Sequence, residues 1–149
     1  MKLLANSAQS EILQGKHVFI DNDFLGAVFR DEELWKDFTQ YIKGPFVIDP
    51  LTQFEFLRDT IDSKSWERRK SFVFDESIFL PAINHQELFV KIQDNALILS
   101  RVYAHAAQAQ KRPSASLTDL FLAARLMLTK VSVLITGNKK DFPSSVFDT

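Results

Sequence analysis

Cysteine is absent from the 149 residues, which excludes disulfides and every thiolate metal site. The same absence suits a reducing compartment, and a cytoplasmic protein is expected. Glycine is scarce, at four, and there are five prolines. Neither a Gly-rich phosphate loop nor a Pro/Gly/Ser-rich linker is present, so no internal boundary is visible. No apolar run approaches the roughly 20 residues of a membrane-crossing helix. The opening "MKLLANSAQSEILQGK" breaks its apolar run after five residues, so no secretory signal and no membrane partner is expected. Charge of one sign is also lacking: 18 basic against 19 acidic residues give a formal charge of −1, so contact with a polyanion must rest on local patches. His17, His85 and His105 have no metal-ligand spacing, and Ser114 and Ser116 have no nucleophile-elbow context. What is abundant is apolar surface. With 46% hydrophobic residues and 14 phenylalanines, the chain must fold around an aromatic interior. Its length suits a single domain over 1–149.

Hydrophobic patterning predicts alternating strands and helices. "HVFID" reads as a strand over about 17–21, buried on both faces because Val18-Phe19-Ile20 lacks polar alternation. "DEELWKDFTQYIKG" carries Leu34, Trp35, Phe38 and Tyr41-Ile42 at helical spacing, with Gly44 as its stop. Phe46–Ile48 reads as a second buried strand, and "LTQFEFLRDTI" returns to the helical period. Residues 64–80 are mixed, with a helix around "SWERRKSFVF". A long helix is expected over "HQELFVKIQDNALILSRVYAHAAQAQ", a loop at "KRPSAS" and another helix over "SLTDLFLAARLMLTK". "VSVLIT" reads as a third buried strand, "GNKKDFP" as a turn, and "SSVFDT" as the beginning of a short last strand. The alternation predicts an α/β sandwich with a mainly parallel sheet.

Acids recur where elements begin. Asp21 ends the first strand, Glu55 and Asp119 are expected in the first turns of their helices, and Asp141 follows the third strand. Each has a local explanation. Asp is a favoured N-cap, Thr52-x-x-Glu55 has the form of a capping box, and Ser116-x-x-Asp119 nearly does. In a right-handed parallel α/β layout, strand C-termini and the starts of the following helices share one sheet edge. Several carboxylates there repel each other and call for a cation. A hard ion such as Mg²⁺ or Mn²⁺ takes oxygen ligands and keeps water for a substrate phosphate.

The motifs "FIDNDFL", "TQFEF", "TDLFLAA" and "LITGNKKDF", in that order across about 16–142, resemble those of PIN domains, especially the small ribonuclease toxins (VapC-like) of toxin–antitoxin pairs. The resemblance implies a three-layer sandwich with a central mainly parallel sheet flanked by helices. It implies catalytic roles for Asp21, Glu55, Asp119 and Asp141, with Mg or Mn held by Asp21, Asp119 and Asp141 and Glu55 acting through water. Asn22, Asp23, Thr136 and Asn138 are the supporting polar groups. Asp23 stands where the family usually has Asn or Ser. The implied partners are an RNA substrate and a small antitoxin protein, with a homodimer as an allowed assembly. "WERRKS" is a basic helix face that also reads as a solvated surface; Arg68, Arg69 and Lys70, with Lys139 and Lys140, are the candidate RNA contacts.

Two other readings fit parts of the chain. Asp21-x-Asp23 after an apolar strand resembles haloacid-dehalogenase-like phosphatases, with Asp21 as nucleophile, Asp23 as general acid and Thr136 imitating their second motif. That reading expects a lysine and an acidic pair downstream, where only 13 residues follow Thr136, and it leaves Glu55 and Asp119 without a role. The third is a non-catalytic PIN-like binding module whose acids are only helix caps.

Overall fold

The computed structural model describes residues 16–82, 86–109, 115–129, 132–137 and Phe142. Four strands form one sheet: β1 (His17–Ile20), β2 (Phe46–Ile48), β3 (Phe79–Pro81) and β4 (Ser132–Ile135). Among the described residues there are six helices: α1 (Asn22–Arg30), α2 (Glu32–Tyr41), α3 (Pro50–Arg58), α4 (Ser63–Val73), α5 (Gln86–Ala109) and α6 (Leu117–Leu128). The strands run in the order β3-β2-β1-β4 and every pairing is parallel, so the chain is of α/β class. The order reverses between β1 and β4. In such a sheet the point of reversal leaves a crevice outside the carboxyl ends of the two strands. No described helix is long and apolar enough to cross a membrane.

The chain divides into two compact units, 1–82 with 131–137, and 83–130 with 138–149. The first holds the sheet and α1 to α4. Its core joins Val18 and Ile20 of β1, Phe24, Leu25 and Val28 of α1, Phe38 of α2, Phe46 and Ile48 of β2, Phe56 of α3 and Phe79 of β3. The abundant phenylalanines meet there: Phe24 lies 4.8 Å from Phe38, Trp35 5.2 Å from Phe46, and Phe72 5.3 Å edge-on to Phe79. Tilted and edge-to-face pairs of this kind add to the area that they bury. In the second unit α5 buries Ile92, Ala96, Leu99 and Tyr103, a helical period, and α6 buries Leu122, Ala123 and Ala124. The two helices meet, with the Phe89 and Phe121 rings 6.2 Å apart.

Two elements were not read from the sequence. Helix α1 follows β1 directly, with Phe24, Leu25 and Val28 on its buried side. Strand β3 lies in the mixed stretch, and its three residues carry too little pattern to announce themselves. It forms one margin of the described sheet. Ala82 N–H bonds to the Ile48 carbonyl, so by parallel alternation the amides of Phe79 and Pro81 face outward. The outward Phe79 N–H is already bonded to the Asp75 carbonyl, and Pro81 has none.

Two expectations need correction. Strand β4 is half-buried throughout, because β1 is its only neighbour in the described sheet. Helix α2 stops before Gly44: it ends at Tyr41, where Ile42 N–H closes on the Phe38 carbonyl at 2.9 Å. Gly44 serves the next turn, leading through a cis bond to Pro45. A Cβ on Gly44 would stand 2.7 Å from the Phe46 nitrogen, so only glycine fits there. The last strand expected after 144 lies outside the described residues.

Candidate active site at the carboxyl edge of the sheet

Strands β1 and β2 end alike, on Phe19-Ile20-Asp21 and Val47-Ile48-Asp49, and β4 ends on Leu134-Ile135-Thr136. The register pairs Phe19 with Val47, and Ile20 with Ile135. Carried forward along the strands, it sets Asp49, Asp21 and Thr136 in one row at the carboxyl edge. Two bonds show the ladder continuing: Asp21 N–H reaches the Ile135 carbonyl at 3.0 Å, and Ala82 N–H reaches that of Ile48 at 3.1 Å.

Asp21 is 5% exposed and is held from two sides. Its Oδ1 accepts the Asn22 N–H at 2.7 Å, capping α1, and its Oδ2 accepts the Thr136 hydroxyl at 2.7 Å across 115 residues of sequence. The cap expected of Asp21 is therefore present on one oxygen, and the other holds Thr136. Asp23 is exposed in the first turn of α1, and its Cβ would lie 3.6 Å from a side chain placed at Gly137. It thus flanks the end of β4. Asn22 contributes its backbone N–H to Asp21.

Asp49 is 4% exposed and was not singled out from the sequence. Its carboxylate caps α3 by accepting the Leu51 N–H at 2.9 Å. The signal was present, since "FVID" repeats the form of "VFID", but the nearby Thr-x-x-Glu pattern drew the helix start three residues too late. Pro50, whose fixed φ suits the first helical position, lets α3 begin at once. Thr52 and Glu55 therefore form no capping box, and α3 has no acid in its first turn. Glu55 lies in the second turn, half-buried. The pKa of Arg58 is raised first by its hydrogen bond to Asp59 and, to a lesser degree, by the Glu55 charge. Thr52 is fully buried, and its hydroxyl has no hydrogen-bond partner.

In the second unit, Asp119 completes a capping box with Ser116. Asp119 Oδ2 accepts the Ser116 N–H at 2.9 Å and its hydroxyl at 2.7 Å, while Ser116 Oγ accepts the Asp119 N–H at 3.1 Å. The cap engages one carboxylate oxygen. Asp141, Asn138, Lys139 and Lys140 lie outside the described residues.

Of the basic candidates on α4, Arg69 is committed to the fold. It donates to the Phe56 carbonyl at 2.8 Å and stacks over the Phe56 and Phe29 rings, at 4.9 and 5.6 Å. Arg68 and Lys70 are exposed, resting on Phe29 and Trp66 respectively.

Among the described residues, no three carboxylates, imidazoles or thiols gather into a metal site. Two carboxylates suffice for Mg²⁺, which is usually held by one or two of them together with water and substrate phosphate. The oxygen-only set of Asp21 and Asp49, braced by Thr136, fits such a hard ion in donor type. No family model, curated protein or solved structure matches the chain.

Proposed function

We propose that the chain is a metal-dependent endoribonuclease of PIN type, hydrolysing RNA phosphodiester bonds at the carboxyl edge of its sheet with Mg²⁺ or Mn²⁺. The observation that carries this reading is the Asp21–Thr136 hydrogen bond. It joins the strand-end acid of one PIN-like motif to the strand-end threonine of another, at the crevice where the strand order reverses.

Asp21 would hold the cation, with Asp119 and Asp141 as the other ligands that the family resemblance assigns and Glu55 acting through water. When bound, the ion would lower the pKa of the attacking water and neutralise charge on the phosphate. The chain's own contribution is orientation. The Thr136 hydroxyl and the Asn22 amide fix both oxygens of Asp21, so the carboxylate meets its ligand without reorganising. Exposed Arg68 and Lys70 would track the RNA backbone through its phosphates.

In its cellular setting the chain would be a cytoplasmic ribonuclease, either the toxin of a toxin–antitoxin pair held in check by a small antitoxin protein or a housekeeping RNA-processing enzyme, with a homodimer as an allowed assembly. Asp23 beside Gly137 is the one feature that favours the phosphatase alternative, since a second acid there suits proton transfer to a leaving group. The test is Mn²⁺- or Mg²⁺-dependent cleavage of a structured RNA, run beside hydrolysis of a generic phosphomonoester. RNA cleavage that disappears in Asp21→Asn supports the nuclease. Phosphomonoester turnover with intact RNA overturns it.

A further inference from the structure

We propose that the outer face of α5 is a self-association surface, on which a second copy of this chain lays its own α5 antiparallel about a two-fold axis between Leu97 and Ile98. The inference stands apart from the nuclease reading and uses none of the residues assigned to that site.

Helix α5 is apolar on two sides. Ile92, Ala96, Leu99 and Tyr103 recur at helical spacing and are buried. Away from them lies a second stripe that meets solvent: Val90 is 48% exposed, Leu97 69%, Ile98 64% and Val102 37%. Positions 90, 97, 98 and 102 fall on one side of a helix with 3.6 residues per turn. A helix with a single buried face normally carries polar residues on the opposite side. A continuous exposed apolar stripe marks a place where another surface docks.

The charges within the stripe select the occupant. Asp94 and Arg101 lie on the same face, and both are exposed. Among the described residues neither side chain takes part in an ion pair. They sit two turns apart, about 10 Å along the axis, and symmetrically about the Leu97–Ile98 midpoint. A two-fold axis there sets Leu97 against the partner's Ile98. It sets Asp94, three residues before Leu97, against the partner's Arg101, three residues after Ile98. By symmetry Arg101 meets the partner's Asp94, so one alignment forms two ion pairs around an apolar centre. The remaining charges of the face agree with it. Glu87 falls opposite the partner's Gln108 and Lys91 opposite the partner's Ala104, so no like charges stand directly opposite. A parallel pair in register would instead set Asp94 on the partner's Asp94 and Arg101 on the partner's Arg101. A lipid surface would have to take up Asp94 together with the apolar stripe, which is costly. Self-complementarity of this kind is what an isologous interface requires. One helix pair of this length is a small contact, below the roughly 1,200–2,000 Å² of stable interfaces, so the dimer should dissociate on dilution.

The experiment is sedimentation velocity of the full chain over a dilution series from about 1 mM to below micromolar. Wild type should shift from dimer to monomer within that range. Asp94→Arg and Arg101→Asp should each weaken the dimer by roughly 10- to 100-fold, because like charges then meet at both ends. Mixing the two variants should restore association as a heterodimer, since one chain then carries both basic residues and the other both acidic ones. The double variant Asp94→Arg/Arg101→Asp should also dimerise. Leu97→Glu should leave a monomer. All three positions are exposed, so thermal unfolding should show each variant folded. Wild type that stays monomeric throughout overturns the proposal. If Leu97→Glu then lowers the melting temperature of that monomer, the stripe is covered within the same chain, which also overturns it. A dimer that survives both charge variants, or variants that do not rescue each other on mixing, overturns the antiparallel pairing.

Discussion

Four helices of the first unit begin on aspartate, and the four caps fall into two kinds. Asp31 and Asp62 cap α2 and α4 from the surface, accepting the N–H groups of Leu34 and Ser65. Asp21 and Asp49 cap α1 and α3 from the ends of strands and are almost wholly buried. All four accept a backbone N–H of the first turn, the exposed pair from the third helical residue and the buried pair from the first and the second. What separates them is the sheet. Asp31 follows a helix and Asp62 a short loop, and both meet water, whereas a cap that follows a parallel strand lies in the row formed by the neighbouring strand ends. The comparison teaches that an aspartate's sequence motif identifies the cap, and its place at a strand end goes with its burial.

The largest expected effect lies beneath a buried cap. Phe24, three residues after Asp21, is 1% exposed and packs on Phe38. Phe24→Ala should cost about 3–5 kcal/mol in denaturant unfolding and release the start of α1. Phe24→Leu should cost far less, which separates lost volume from a lost aromatic pair.

Asp21→Ala comes next, at about 2 kcal/mol, because it removes both a cap and the bond to the Thr136 hydroxyl. Asp31→Ala should cost about 1 kcal/mol, the ordinary worth of an N-cap. Equal losses at the two positions would erase the distinction between buried and exposed caps. Asp23→Asn tests the edge differently. In the nuclease it should leave RNA cleavage within about tenfold, since no proton transfer is required there; the phosphatase alternative expects a loss of roughly two to four powers of ten.

The smallest effect is a pH dependence at an exposed cap. The Ser65 hydroxyl, and then its backbone N–H, hold the Asp62 carboxyl below its usual pKa. A depressed folded-state pKa gives stability that is present above the unfolded value, near 3.9, and fades as pH falls through the lower folded one. Asp62→Asn should therefore flatten the acid limb of the stability curve slightly. An unchanged acid limb would show that the bond frays in solution.

Much of this arrangement was legible in the sequence, because buried parallel strands write themselves as short apolar runs. The runs before Asp21 and Asp49 located β1 and β2, and the apolar periods of α5 and α6 gave those helices to within a residue or two. Asp21 was singled out because a charge ends an apolar run. Asp49 was not, although it ends one too, because its place beside Asp21 comes from the β1–β2 register, which is a long-range fact. Thr52 was legible as a residue and not as a buried hydroxyl, since only the fold shows that it is wholly enclosed. Strand β3 escaped because three residues ending in proline look like loop.

That short strand also bears on how the protein behaves in a crowded cell. A sheet margin is a template on which another chain can zip, and growth needs both donors and acceptors. The outward amide of Phe79 is spent on Asp75 and Pro81 never had one, so over the described residues of β3 this margin offers carbonyls alone. A second copy approaching it would find half of each ladder rung missing. The turn that delivers β3 to the sheet thereby acts as a built-in stop against fibrillar self-association.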